Sequence, residues 1–96
     1  MNAPSEFGGQ RHEHWLKQEH RALYHSLMFT WKLHEHLVEV DERAERMFRR
    51  LTDEMAAQDG VTEQLKAADQ MVWLGTMNNI CVRAEEIVYN EVIHAL

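Results

Sequence analysis

Apolar residues recur at spacings of four and three along the middle of the chain: Leu33, Leu37, Val40, Ala44, Met47, Leu51 and Met55. An α-helix turns once in 3.6 residues, so this set falls on one face of a single rod. The opposite face is charged. Glu39 and Arg43, Glu42 and Arg46, and Glu45 and Arg49 are each four residues apart with the acid first, and each such pair adds about 0.2–0.5 kcal/mol to a helix. The pattern predicts a long amphipathic helix over residues 31–58. Gly60 follows as its stop, because glycine enters the left-handed conformation of a helix C-terminus at no steric cost.

Two further segments share the helical period. From residue 10 to 29, Leu16, Leu23, Leu27 and Thr30 recur on one face, beside Trp15, Ala22 and Phe29. Residues 1–9 contain Pro4, Ser5, Gly8 and Gly9 and read as a flexible leader. Downstream, Thr62 is placed to cap a helix with Glu63 in its first turn. That helix is predicted over residues 63–94 and would be roughly 48 Å long. Two apolar stripes run along it. One is Ala67, Met71, Leu74, Cys81, Val88 and Val92; the other is Trp73, Met77, Ile80, Ala84 and Ile87. A helix wet on one side needs only one stripe, so this helix is central in the fold or shared with a partner.

The expected fold is all-α. One helix lies against a long antiparallel helical hairpin, in a single domain over residues 10–96. After Pro4 the chain has no proline, so nothing forbids long helices. A chain of 96 residues buries a limited share of its surface, and a homodimer would double the hairpin into a bundle.

Composition narrows the class. Charged residues are 27% and hydrophobic residues 45% of the chain, as in ordinary globular domains. One cysteine, Cys81, precludes an internal disulfide. No apolar run approaches the roughly 18 residues of a membrane span, and residues 1–10 lack the basic and apolar regions of a secretory signal. A cytoplasmic location is expected. The net charge of −6 is uneven: residues 1–50 carry eight basic and eight acidic side chains, residues 51–96 two and eight. An acidic half disfavours broad contact with a nucleic-acid backbone, whose affinity comes from neutralised phosphates.

Candidate chemistry is sparse. His12, His14, His20, His25, His34 and His36 lie in the first half, but none of these pairs has the i, i+3 or i, i+4 spacing that brings two ligands to one metal from a single helix. The HExxH pattern also fails, with Leu16 and Val38 where the second histidine would stand. These histidines are read as exposed, with no metal site; the alternatives are a Zn²⁺ site assembled between helices or subunits and a pH-sensing role. Cys81 has apolar neighbours and no activating base, and Glu85 and Glu86 are adjacent and so diverge on a helix. No phosphate-cradling loop or nucleophile elbow occurs. A non-enzymatic protein without a cofactor is expected.

Binding surfaces are easier to name. Trp73, Met77, Asn78 and Asn79 combine residue types enriched at interfaces with two asparagines that fit a helix interior poorly. An asparagine buried between helices can also fix their register. Asp53, Glu54 and Asp59 head the acidic half. Arg43, Arg46, Arg49 and Arg50 form a basic strip that could meet nucleic acid, although glutamates interleave with it.

One block is distinctive. Gly60-Val61-Thr62-Glu63-Gln64-Leu65-Lys66-Ala67 is followed by Asp69-Gln70-Met71, Trp73, Met77-Asn78-Asn79-Ile80, Arg83-Ala84-Glu85-Glu86-Ile87-Val88 and Asn90-Glu91. With Leu16-Lys17, His20-Arg21, Ala22-Leu23-Tyr24, Lys32-Leu33, Glu35-His36-Leu37 and Asp41 upstream, this sequence resembles the transposon-encoded TnpV family over residues 11–93. No catalytic residues are assigned to the family, so the resemblance carries none over. It usually has a glycine between its first two helices, where this chain reads Phe29-Thr30-Trp31, and the leader of this chain is shorter and unlike the family's. The resemblance implies a protein carried on a bacterial mobile element. Three functions follow from it and from the residues: an accessory protein working through protein contact, an acidic nucleic-acid mimic that inhibits a host defence nuclease (an anti-CRISPR-like role), or a DNA-associated transposition or regulatory protein.

Overall fold

The computed structural model describes residues 8–95, and among them there is no strand. The helices are α1 (Gly9–Glu19), α2 (Arg21–Phe29), α3 (Leu33–Gln58), α4 (Glu63–Ala68) and α5 (Gln70–Val88), and the chain then widens into a π-helical turn, Tyr89–Ile93. Among the described residues no helix is long and apolar enough to cross a membrane.

The long middle helix forms as expected, and every residue of its stripe is buried or half-buried. Its end is a Schellman motif. Gly60 sits at φ 68°, the Val61 amide donates to Ala56 O at 2.8 Å and the Gly60 amide to Ala57 O at 3.4 Å, so carbonyls orphaned by the helix end find donors. The end of α2 repeats the motif with a different residue. The Lys32 amide donates to Leu27 O at 2.9 Å and the Trp31 amide to Met28 O at 3.1 Å. Trp31 takes the left-handed position at φ 61°.

The two flanking helices are each broken once, which corrects the continuous rods expected over residues 10–29 and 63–94. The first breaks at His20, whose backbone leaves the helical region at φ −139° and ψ 58°. That break lets α1 and α2 meet α3 as separate segments. The second breaks at Asp69, at φ −150° and ψ 89°. The Asp69 carboxylate accepts the Val72 amide at 3.2 Å, so the residue caps a new helix instead of continuing the old one. Thr62 caps α4 as expected, its hydroxyl oxygen accepting the Leu65 amide at 3.2 Å.

α3 and α5 pack as an antiparallel pair. Val40 and Ala44 from the first half of α3 join Val88, Val92 and Ile93 from the end of the chain in one buried cluster, while Arg83 reaches Asp59 just beyond the end of α3. The π-turn has a role here: its wider spacing turns two adjacent residues, Val92 and Ile93, into the core. α1 closes this end with Leu16 and His12, both buried. Gly8 and Gly9 are buried too. A Cβ on Gly8 would lie 2.9 Å from Asp41 Oδ1 and 3.0 Å from Asp41 Cα, so glycine is what lets the chain approach α3 there. The rest of the expected leader, residues 1–7, lies outside the described residues.

The core is confined to that end. Between Glu45 and Asn79 no residue is buried. The molecule measures 55 × 27 × 18 Å with a radius of gyration of 16.6 Å, against about 12.5 Å for a compact domain of this length.

Candidate functional site

On α5 the helical period separates the residues that the sequence groups together. Trp73, Met77, Ile80, Ala84 and Val88 follow one another at four- and three-residue steps and turn inward; the last three are fully buried, and Trp73 and Met77 are half-buried. The Lys66 ammonium of α4 sits 4.5 Å from the centre of the Trp73 ring, a cation–π contact that ties α4 to α5. Asn78 and Asn79 are exposed. Their neighbours on the outer side are apolar: Met71 is 77% exposed, with Val82, Val72 and Leu74 also open to solvent. The outer face therefore joins Asn78 and Asn79 to Met71, Leu74 and Val82, with Gly75 between them and nothing within 4 Å of where its Cβ would be. This divides the first expected stripe, which placed Met71 and Leu74 with Val88 and Val92.

The acidic residues are dispersed. Asp53, Glu54 and Asp59 are all exposed, but Asp59 is held by Arg83 at 2.9 Å and Glu54 faces Arg50 at 3.9 Å. These exposed pairs contribute little stability. They do neutralise two of the three carboxylates.

The basic strip also divides. Arg49 turns away and pairs with Glu45 at 2.7 Å. Arg43, Arg46 and Arg50, at i, i+3 and i+7, share one flank of α3 and line a groove of about 270 Å³ whose remaining walls are Met47 and Val92. Among the described residues Arg43 and Arg46 make no ion pair, so the Glu39–Arg43 and Glu42–Arg46 pairs expected from spacing are not formed.

The histidines depart furthest from expectation. His12 is buried rather than solvent-exposed. Its Nδ1–H donates to the Ile93 carbonyl at 2.6 Å, which leaves Nε2 as an acceptor, and the Nε2–H of His36 donates to it at 2.9 Å. The ring thus joins α1, α3 and the π-turn. Burial pushes the His12 pKa below the usual histidine value, and the nearby His36, His94 and Arg43 push the same way against the Ile93 hydrogen bond. Among the described residues no three histidine, cysteine or acidic side chains gather to hold a metal. Cys81 is a free, half-buried thiol.

The corner between α2 and α3 escapes a reading built on stripes. Phe29 is 83% and Trp31 92% exposed, with Met28 and Leu23 open beside them. The available signal was the pair of aromatics flanking Thr30 at a helix end, off the apolar face.

Comparison with curated proteins and with solved structures gives no match. The family model described as transposon-encoded protein TnpV matches residues 5–93, nearly the whole chain and including part of the segment read as an unrelated leader. This chain belongs to the transposon-encoded TnpV family.

Proposed function

We propose that this chain is a non-enzymatic accessory protein of a bacterial mobile genetic element that acts through protein–protein contact. The observation that supports this reading is the distribution of apolar surface. The core fills one end, while large apolar side chains stand in solvent at the Phe29–Trp31 corner and along the outer face of α5. Exposed aromatic and methionine side chains gathered in patches are the usual anchors of protein interfaces. The test is affinity capture of the tagged chain from cells that carry the element, with extracts treated with nuclease. A protein should remain bound after nuclease treatment and be lost with the Phe29→Ser/Trp31→Asn variant. Recovery that vanishes on nuclease treatment would overturn the reading.

DNA association is the second reading, favoured by the convergence of Arg43, Arg46 and Arg50 on one groove. It expects binding to labelled DNA that weakens steeply with salt and falls in an Arg43→Ala/Arg46→Ala/Arg50→Ala variant but not in Arg49→Ala. The nuclease-inhibitor reading has less support, since two of its three acidic residues face arginines within the chain.

A further inference from the structure

We infer that the outer face of α5 binds the same face of a second copy of this chain, antiparallel. The inference rests on the protein-contact reading and assigns one of its two surfaces.

Apolar exposure comes first. Met71, Val72, Leu74 and Val82 stand open to solvent on the side of α5 turned away from α3. The molecule is only 18 Å across its short axis, less than two helix diameters of about 10–12 Å each, so no further layer of the described residues covers them.

Charge is the second argument. The thirteen residues from Gln70 to Val82 include no Asp, Glu, Lys or Arg, in a chain that is 27% charged overall. With a net charge of −6, two copies repel each other over most surfaces, and this face is where they can meet without placing like charges together. The direction follows from the same distribution. Glu85 and Glu86 stand at the C-terminal end of α5. Parallel pairing would set these acids beside their counterparts. Antiparallel pairing separates them by most of the helix, about 28 Å, and opposes the two helix dipoles.

The third argument is that the face fits itself. A two-fold axis beside residues 76 and 77 sets Met71 against Val82 of the second copy, Leu74 against Asn79, and Gly75 against Asn78. Large apolar residues thereby cover one another at both ends. In the middle each Asn78 amide lies over Gly75 of the other chain, where there is no Cβ to exclude it. The two Asn78 amides come close to the axis, where a hydrogen bond between them would fix register, as a buried asparagine does in coiled coils.

The test is the solution mass of the full chain by sedimentation equilibrium, with helicity checked by circular dichroism. The wild-type chain should have about twice its 11.4 kDa at micromolar concentration. Met71→Glu and Val82→Glu lie on solvent-facing positions and should keep their helicity, but burying an unpaired charge should weaken association by about tenfold or more. The Phe29→Ser/Trp31→Asn variant should remain dimeric. In a Cys81→Ser background, Met71→Cys chains mixed with Val82→Cys chains should cross-link to each other in preference to themselves. A monomeric wild-type chain would overturn the inference, as would a dimer that survives Val82→Glu or cross-links like with like. None of these results bears on the capture experiment at the Phe29–Trp31 corner, so the two proposals fail separately.

Discussion

Trp31 and Gly60 occupy the same position in two copies of one helix-ending motif, and exchanging their chemistry should move stability in opposite directions. A left-handed backbone brings the Cβ of an L-residue against the carbonyl that follows, at a cost of about 1–2 kcal/mol. Glycine escapes that cost but gives up about 0.5–1 kcal/mol through the greater freedom of its unfolded chain. Trp31 is 92% exposed, so its ring adds little buried surface to offset the strain. Trp31→Gly should therefore stabilise the fold by about 0.5–1 kcal/mol, which raises Tm by about 2–8 °C in a domain of this size. Gly60→Ala should do the reverse. Beyond its two chain neighbours nothing lies within 4 Å of the new Cβ, so the loss is backbone strain alone, about 0.5–1 kcal/mol net of the entropy gained. Trp31→Ala is the control, because it removes the ring and keeps the strain; it should leave Tm almost unchanged. The assay is thermal and urea unfolding of the four chains at one protein concentration, since association shifts Tm by mass action. If Trp31→Gly and Trp31→Ala behave alike, or if Trp31→Gly destabilises, the strain account is refuted and the ring has a packing role.

Other expectations follow from the closed end of the molecule. Gly8→Ala should cost about 1–3 kcal/mol in urea unfolding, since the new Cβ meets Asp41 backbone as well as side chain. Leu16→Ala, at a fully buried position, should cost about 2–5 kcal/mol. Asp69→Ala should cost about 1 kcal/mol by removing the cap of α5, seen as faster hydrogen exchange in its first turn. His12 makes stability depend on pH. Its folded pKa lies below 6.5, so the unfolded chain binds the proton more readily. The full stability is then present above pH 6.5 and declines as pH falls from 6.5 through the lowered folded value. His12→Gln should remove that decline.

The middle helix and its boundaries were legible because a single amphipathic face dictates them: seven apolar residues in register, then Gly60 and Thr62 as stop and start. The breaks at His20 and Asp69 were not. Asp69 lies inside an apolar pattern that continues across it, and its capping role shows only when its carboxylate is seen on the Val72 amide. The two stripes on α5 were visible, but which residues faced inward depended on where α3 lay. Periodicity grouped Met71 and Leu74 with Val88 and Val92, whereas the structure leaves the first pair in solvent and buries the second. The π-turn adds to this, since it changes the period where Val92 and Ile93 enter the core. His12 was the largest miss. Spacing along the chain excludes a ligand pair on one helix, but it says nothing about a partner on another, and the partner of His12 is His36 on α3. The arginines were read as one strip, while the helical period keeps Arg49 off the groove that Arg43, Arg46 and Arg50 share.

The account holds that the apolar outer face of α5 is a protein-contact surface rather than merely open to water. Hydrogen exchange followed peptide by peptide over a wide range of protein concentration tests this most directly. Residues 70–82 should gain protection as concentration rises, while α2 should exchange at a constant rate. Exchange over residues 70–82 that is independent of concentration, or protection that appears at α2 instead, would contradict it.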